Sequence, residues 1–107
     1  VLLGLGVDGH TASLFPGSPV LKEIFRTVAA VHATAAAIPQ RFTLTLPVLN
    51  AAARVVFLVG GPEKAKVVKA VLAEGAMLPA AMVRPEAGEL VWLLDRAAAA
   101  LLPGGAR

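Results

Sequence analysis

The chain has 107 residues, 57% of them hydrophobic, 16% charged and 5% aromatic, with a mean hydropathy of +0.75, which excludes a disordered segment and demands a buried core. The apolar share exceeds the roughly 45–50% of an average soluble domain, so the composition predicts apolar surface that awaits a partner. A net charge of +3 from scattered basic residues, few aromatics, no apolar run long enough to span a bilayer and zero cysteines argue against nucleic-acid binding, membrane insertion, disulfides, thiolate metal sites and cysteine nucleophiles, with the cytoplasm as default compartment.

Val1 to Leu5 reads as a strand entering a turn, and the absence of an initiator Met, a basic leader and a cleavage site suggests a piece of a longer chain. Thr11 to Leu14 can begin a helix, and Thr11 or Ser13 can cap it. Val28 to Ala33 and Phe42 to Leu46 are further strands, separated by a stretch that includes Ala35 to Ala37. Pro47 to Ala53 predicts a short helix, Val55 to Val59 a strand, and Pro62 to Glu74 the best helix, with proline at its start and Gly75 at its end. Leu90 to Leu94 is a fifth strand; Asp95 can cap a last helix, Arg96 to Leu102, stopped by Pro103-Gly104-Gly105. Short Val- and Leu-rich strands alternating with helices predict an α/β fold, with strands buried on both faces of a mainly parallel sheet. One long helix and two short ones cannot cover both faces of about five strands, so the fold should be incomplete and part of the sheet bare.

The densest polar cluster, Gly4 to Gly17, lies where the first strand ends, and open α/β sheets bind ligands at the carboxyl ends of their strands. Gly4, Gly6 and Gly9 spell G-x-G-x-x-G, but the second strand ends in His32, Ala33 and Thr34 and lacks the acidic residue that dinucleotide binding needs. Asp8 and His10 sit two apart in this turn, where a carboxylate can orient an imidazole and leave its second nitrogen free to take a proton from water. The N–H groups opening a helix at Thr11 would offer a place for an anion or a developing oxyanion. Ser13 lacks the strained G-x-S-x-G elbow of a nucleophile. His32, within an apolar strand, reads as structural.

Arg41 precedes a strand and could grip a phosphate or carboxylate with two hydrogen bonds, or simply be a solvated arginine. Lys64 falls in Gly60-Gly61-Pro62-Glu63-Lys64, a glycine turn suited to phosphate but without P-loop spacing. Lys66 and Lys69 read as a solvated helix face.

L-L-G-L-G-V-D-G-H-T-A-S-L-F-P-G, with P-Q-R-F-T-L-T-L-P-V-L-N-A-A, V-F-L-V-G-G-P-E-K-A and V-W-L-L-D-R-A-A-A after it in order, resembles the 6-phosphogluconolactonases across essentially the whole chain. The resemblance is to the carboxy-terminal half of that family, so residues 1–107 are expected to be one portion of a single Rossmann-like domain. Its missing half, or self-association, would complete it. The fold is shared with glucosamine-6-phosphate deaminases, but T-A-S-L-F-P-G after Asp-Gly-His points to the lactonase. The resemblance implies hydrolysis of 6-phosphoglucono-1,5-lactone to 6-phosphogluconate without a required metal or cofactor. By the same token His10 is the base, Asp8 its partner, Arg41 and Lys64 substrate or phosphate contacts, and Gly9 and Thr11 neighbouring contacts. A non-catalytic sugar-phosphate sensor and a deaminase-like isomerase are the alternatives; a sensor would keep the basic anchors and lose the Asp-x-His pair.

Overall fold

The computed structural model describes residues 1–33 and 37–104. Residues 34–36 and 105–107 are not described, so part of the alanine stretch and the end of the last stop signal lie outside it. Three strands, β1 (Leu2–Leu3), β4 (Arg54–Val59) and β5 (Glu89–Leu94), form a parallel sheet in the order β1-β4-β5, and β2 (Val28–His32) and β3 (Gln40–Leu44) form a separate antiparallel pair. Helices α1 (Leu46–Asn50) and α2 (Ala65–Leu72) follow β3 and β4, with short 3₁₀ turns at Pro19–Lys22, Pro62–Lys64 and Pro79–Met82.

The parallel α/β core follows the expected pattern, whereas β2 and β3 depart from it. Their burial alternates: Ala29, Val31 and Thr43 are buried while Val28 and Phe42 are exposed, the signature of an antiparallel ribbon with one face covered. The period-2 pattern had been obscured in the sequence because both faces carry apolar residues.

The predicted long helix is shorter than its sequence pattern. Pro62 starts a 3₁₀ turn, α-helical bonding begins at Ala65, and the chain leaves the helix after Leu72, with Gly75 at φ 67° beyond. Arg96 to Leu102 is a run of turns and not a helix. Asp95 does cap it, accepting the Ala98 N–H at 2.8 Å, but the same carboxylate also accepts the Gly61 N–H at 3.0 Å and is shared between the ends of β4 and β5. Thr11 to Leu14 is also no helix: Ala12 stands at φ 50°, outside the right-handed region that a helix requires.

Registers pair Leu2 with Val56, Leu3 with Phe57, Phe57 with Trp92, and Leu58 with Leu93. Paired residues share a face, so Leu3, Val55, Phe57 and Val59 point into the core with Leu49, Val67 and Val68. Phe57 is fully buried and stacks on Trp92 with centroids 4.1 Å apart. On the opposite face Leu2, Leu58 and Leu93 are 72%, 61% and 52% exposed, which is the bare sheet surface the helix count predicts.

Phe57→Ala removes the centre of the core layer and is expected to lower stability by about 3–5 kcal/mol, with loss of the near-UV dichroism that Trp92 owes to its partner. Urea unfolding checks the first part; a change below about 1 kcal/mol would show that the stack is peripheral to stability.

Candidate functional site

The Gly4–Gly17 segment leaves the carboxyl end of β1 and folds back on itself. Gly6 N–H donates to the His10 carbonyl at 2.8 Å and Gly9 N–H to the Gly6 carbonyl at 2.9 Å, closing a tight loop around Asp8. A Cβ added at Gly6 would fall on Cε1 and Nδ1 of the His10 ring and 2.9 Å from the Asp8 carboxylate, so the imidazole lies where a side chain would otherwise be. Gly9 is required for a different reason: its φ is 90°, and a Cβ would press on the Leu78 side chain. Gly4 has neither constraint, with nothing near its Cβ position. Only two glycines of the literal G-x-G-x-x-G are therefore sterically specified.

Asp8 and His10 form the pair expected from their spacing. Oδ1 of Asp8 lies 2.5 Å from Nδ1 of His10 and also accepts the His10 backbone N–H at 3.0 Å, so a single oxygen fixes both the ring and its backbone. With Nδ1 donating to the carboxylate, the neutral ring keeps its lone pair on Nε2. Partial burial, the largest influence on the Asp8 carboxyl, pushes its pKa up, but the His10 backbone N–H, the His10 ring hydrogen bond and the His10 charge together outweigh it. The carboxyl is thereby held below its ordinary value. The side chains of His10 and Asp8 remain 31% and 48% exposed, so water reaches the pair.

A cavity of about 760 Å³ opens in front of this pair, and its lining includes Asp8, His10, Phe15, Ser18, His32 and Arg41. Arg41 lies on β3, its Nε tied to the Ile38 carbonyl at 2.9 Å, and its guanidinium carbon stands 5.6 Å from the centre of the Phe15 ring. The structure therefore brings Asp8, His10 and Arg41 together across two separate pieces of sheet. Gly9, Thr11 and Lys64 do not line that cavity among the described residues. Thr11 is 1% exposed and donates its hydroxyl to the Gly4 carbonyl at 2.8 Å, which fixes the exit from β1. The Lys64 ammonium donates to the Leu5 carbonyl and so clamps the same exit from the β4 side. With no helix at Thr11, the expected cluster of helix-start donors is also missing: Ser13 N–H goes to Thr43 Oγ1 and Leu14 N–H to the Thr11 carbonyl.

His32 corrects a sequence expectation, because it is exposed at the end of β2 and lines the cavity. V-A-A-V-H carries no alternation that would reveal it; the face shared by residues 28, 30 and 32 follows from the pairing of β2 with β3. Phe15 and Ser18 were also missed, since F-P-G-S-P reads only as a turn. Among the described residues, no group of three or more His, Cys, Asp or Glu is arranged to hold a metal ion, and no helix is long and apolar enough to cross a membrane.

Comparison with known proteins gives a family match over residues 1–92, to the family described as glucosamine-6-phosphate isomerases/6-phosphogluconolactonase. The chain is 53% identical over 103 residues to the 6-phosphogluconolactonase of Rattus norvegicus and 52% identical over 104 residues to that of Homo sapiens, covering 95% of this chain and 40% of each relative. It thus spans well under half the length of these relatives. Among solved structures, the 6-phosphogluconolactonase of Trypanosoma brucei superposes with a TM-score of 0.81 at 38% identity, over 95% of this chain and 41% of that one.

Two outcomes are expected from the loop geometry. Gly6→Ala should displace the His10 ring and abolish its contact with Asp8, while Gly4→Ala should leave the His10 ring resonances unchanged by NMR; equal effects from both would refute the steric role of Gly6. Asp8→Asn should reduce stability at neutral pH. Because the folded carboxyl is held below its unfolded value of about 3.9, the stabilisation is complete above that pH and is lost as the pH falls through the folded value. The wild-type and Asp8→Asn unfolding curves should therefore converge in acid; a gap that widens there would reverse the sign.

Proposed function

Because the chain belongs to the glucosamine-6-phosphate isomerase/6-phosphogluconolactonase family, we propose that it carries the water-activating part of an enzyme that hydrolyses 6-phosphoglucono-1,5-lactone to 6-phosphogluconate. The observation that carries this reading is the opening of the Asp8–His10 pair and the Arg41 guanidinium onto one cavity. In the proposed reaction, Nε2 of His10 takes a proton from water as the water oxygen attacks the lactone carbonyl carbon. The tetrahedral intermediate then collapses, the ring C–O bond breaks, and the proton passes to the departing hydroxyl oxygen. Asp8 stabilises the imidazolium that exists between the two transfers. Arg41 anchors an anionic group of the substrate, for which a planar guanidinium that can give two parallel hydrogen bonds is suited. Lys64 is the proposed second anchor: an ammonium has three donors, and the Leu5 carbonyl uses one.

The proposal extends to the setting of the reaction. The cysteine-free chain is compatible with the cytoplasm. The bare apolar sheet face supports a lactonase domain that includes more polypeptide than these 107 residues, with this segment as its carboxy-terminal portion.

The reading is tested by following lactone loss at a pH where spontaneous opening is slow, in the full-length protein. His10→Ala is expected to lower kcat by about 10²- to 10⁴-fold with little change in KM, whereas Arg41→Ala should raise KM. Equal, small effects would remove both assignments. Saturable binding of 6-phosphogluconate without any acceleration would replace the enzyme with a sugar-phosphate-binding module.

A further inference from the structure

The groups assigned to proton transfer and to anion binding stand on different pieces of structure. His10 belongs to the loop leaving β1, whereas Arg41 belongs to β3, whose strand partner is β2 and not the parallel sheet. Among the described residues no strand pairing joins the two pieces, and the Ser13 N–H bond to Thr43 Oγ1 ties the loop to β3 without fixing either side chain. Both, however, meet the same side chain: the Phe15 ring lies 4.6 Å from the His10 ring, tilted by 35°, and 5.6 Å from the Arg41 guanidinium carbon.

We propose that Phe15 is a positioning residue, an aromatic spacer that sets the separation and orientation of His10 and Arg41 across the cavity; this rests on the lactonase reading above. Three observations carry the inference. Phe15 is itself held, because it packs against the hydrophobic core and directly follows Leu14, which is fully buried and bridged to Thr11. The ring also lines the cavity, so it reaches the space that a substrate would fill. Lastly, the two contacts use different properties of one ring. A cation is drawn to the negative face of an aromatic, while a tilted imidazole packs against it as an aromatic partner. An aliphatic side chain of similar volume would fill the space and reproduce neither preference.

Each group also has a tether of its own, which makes the ring decisive for what remains. Asp8 holds His10 through Nδ1, and the Ile38 carbonyl holds Arg41 through Nε. Each of those bonds holds one nitrogen and does not by itself set the tilt of the imidazole or the turn of the guanidinium about Nε. The Phe15 ring limits both rotations from one side. Proton transfer depends steeply on such alignment, since a misplacement of about 1 Å can cost about 10²-fold in rate.

The test compares Phe15→Leu and Phe15→Met with Phe15→Tyr and Phe15→Trp in the full-length protein, with folding checked by far-UV dichroism. The aliphatic variants are expected to lower kcat and raise KM together, by about tenfold in kcat/KM, and the aromatic variants to restore both to within about twofold. A second readout is independent of activity: ring-current shifts on the His10 ring protons and the Arg41 side-chain protons should be present in the wild type, kept in Phe15→Tyr and lost in Phe15→Leu. Wild-type kinetics in both aliphatic variants would overturn the proposal, as would the absence of ring-current shifts in the wild type even if the aliphatic variants fail to fold. If His10→Ala also leaves lactone opening untouched, the lactonase reading fails, and the shifts alone decide whether Phe15 spaces the two groups.

Discussion

A Cβ at Gly6 would occupy the position of the His10 imidazole and crowd the Asp8 carboxylate, so the pairing of these two residues depends on a backbone that comes within contact of a ring. That single constraint organises the loop. It lets the imidazole come against the chain that leaves β1 and lets one carboxylate oxygen hold both the ring and the backbone of His10. Without it, Asp8 and His10 would be two polar residues in a surface turn, each free to find solvent.

The remaining parts of the site are arranged around that loop by long-range clamps and not by regular structure. Thr11 and Lys64 hold the consecutive carbonyls of Gly4 and Leu5 from two directions. Asp95 ties the start of the segment carrying Lys64 to the end of β5 through the Gly61 N–H. On the other side, β2 and β3 bring Arg41 in from outside the parallel sheet, and Phe15 fills the gap between that ribbon and the loop. The cavity thus draws its lining both from the loop that leaves β1 and from the β2–β3 ribbon.

Much of this was legible from residue order. The parallel β1-β4-β5 core followed from short Val- and Leu-rich runs alternating with helical periods, and the Asp8–His10 contact followed from a spacing of two in a glycine turn. What was not legible depended on partners distant in sequence. The antiparallel pairing of β2 with β3 was hidden because apolar residues such as Val28 and Phe42 occupy the exposed face, which flattened the alternation. His32 was misread for the same reason. The turn at Thr11 depends on a left-handed Ala12, for which an alanine gives no local signal. The fate of Lys64 could not be read from its glycine turn, because the carbonyl it holds lies 59 residues away.

That separation bears on how the molecule comes into being. Among the described residues β1 pairs with β4 alone, some fifty positions further along the chain, and the clamp on Leu5 comes from a lysine further still. During synthesis the loop bearing Asp8 and His10 therefore leaves the ribosome long before the strand and the lysine that hold its base exist. Parallel pairing of this kind needs a long crossover to close before its contacts can form, a step that slows folding. The loop bearing Asp8 and His10 is thus made before the strand and the lysine that hold its base, and it acquires its fixed shape only once they arrive.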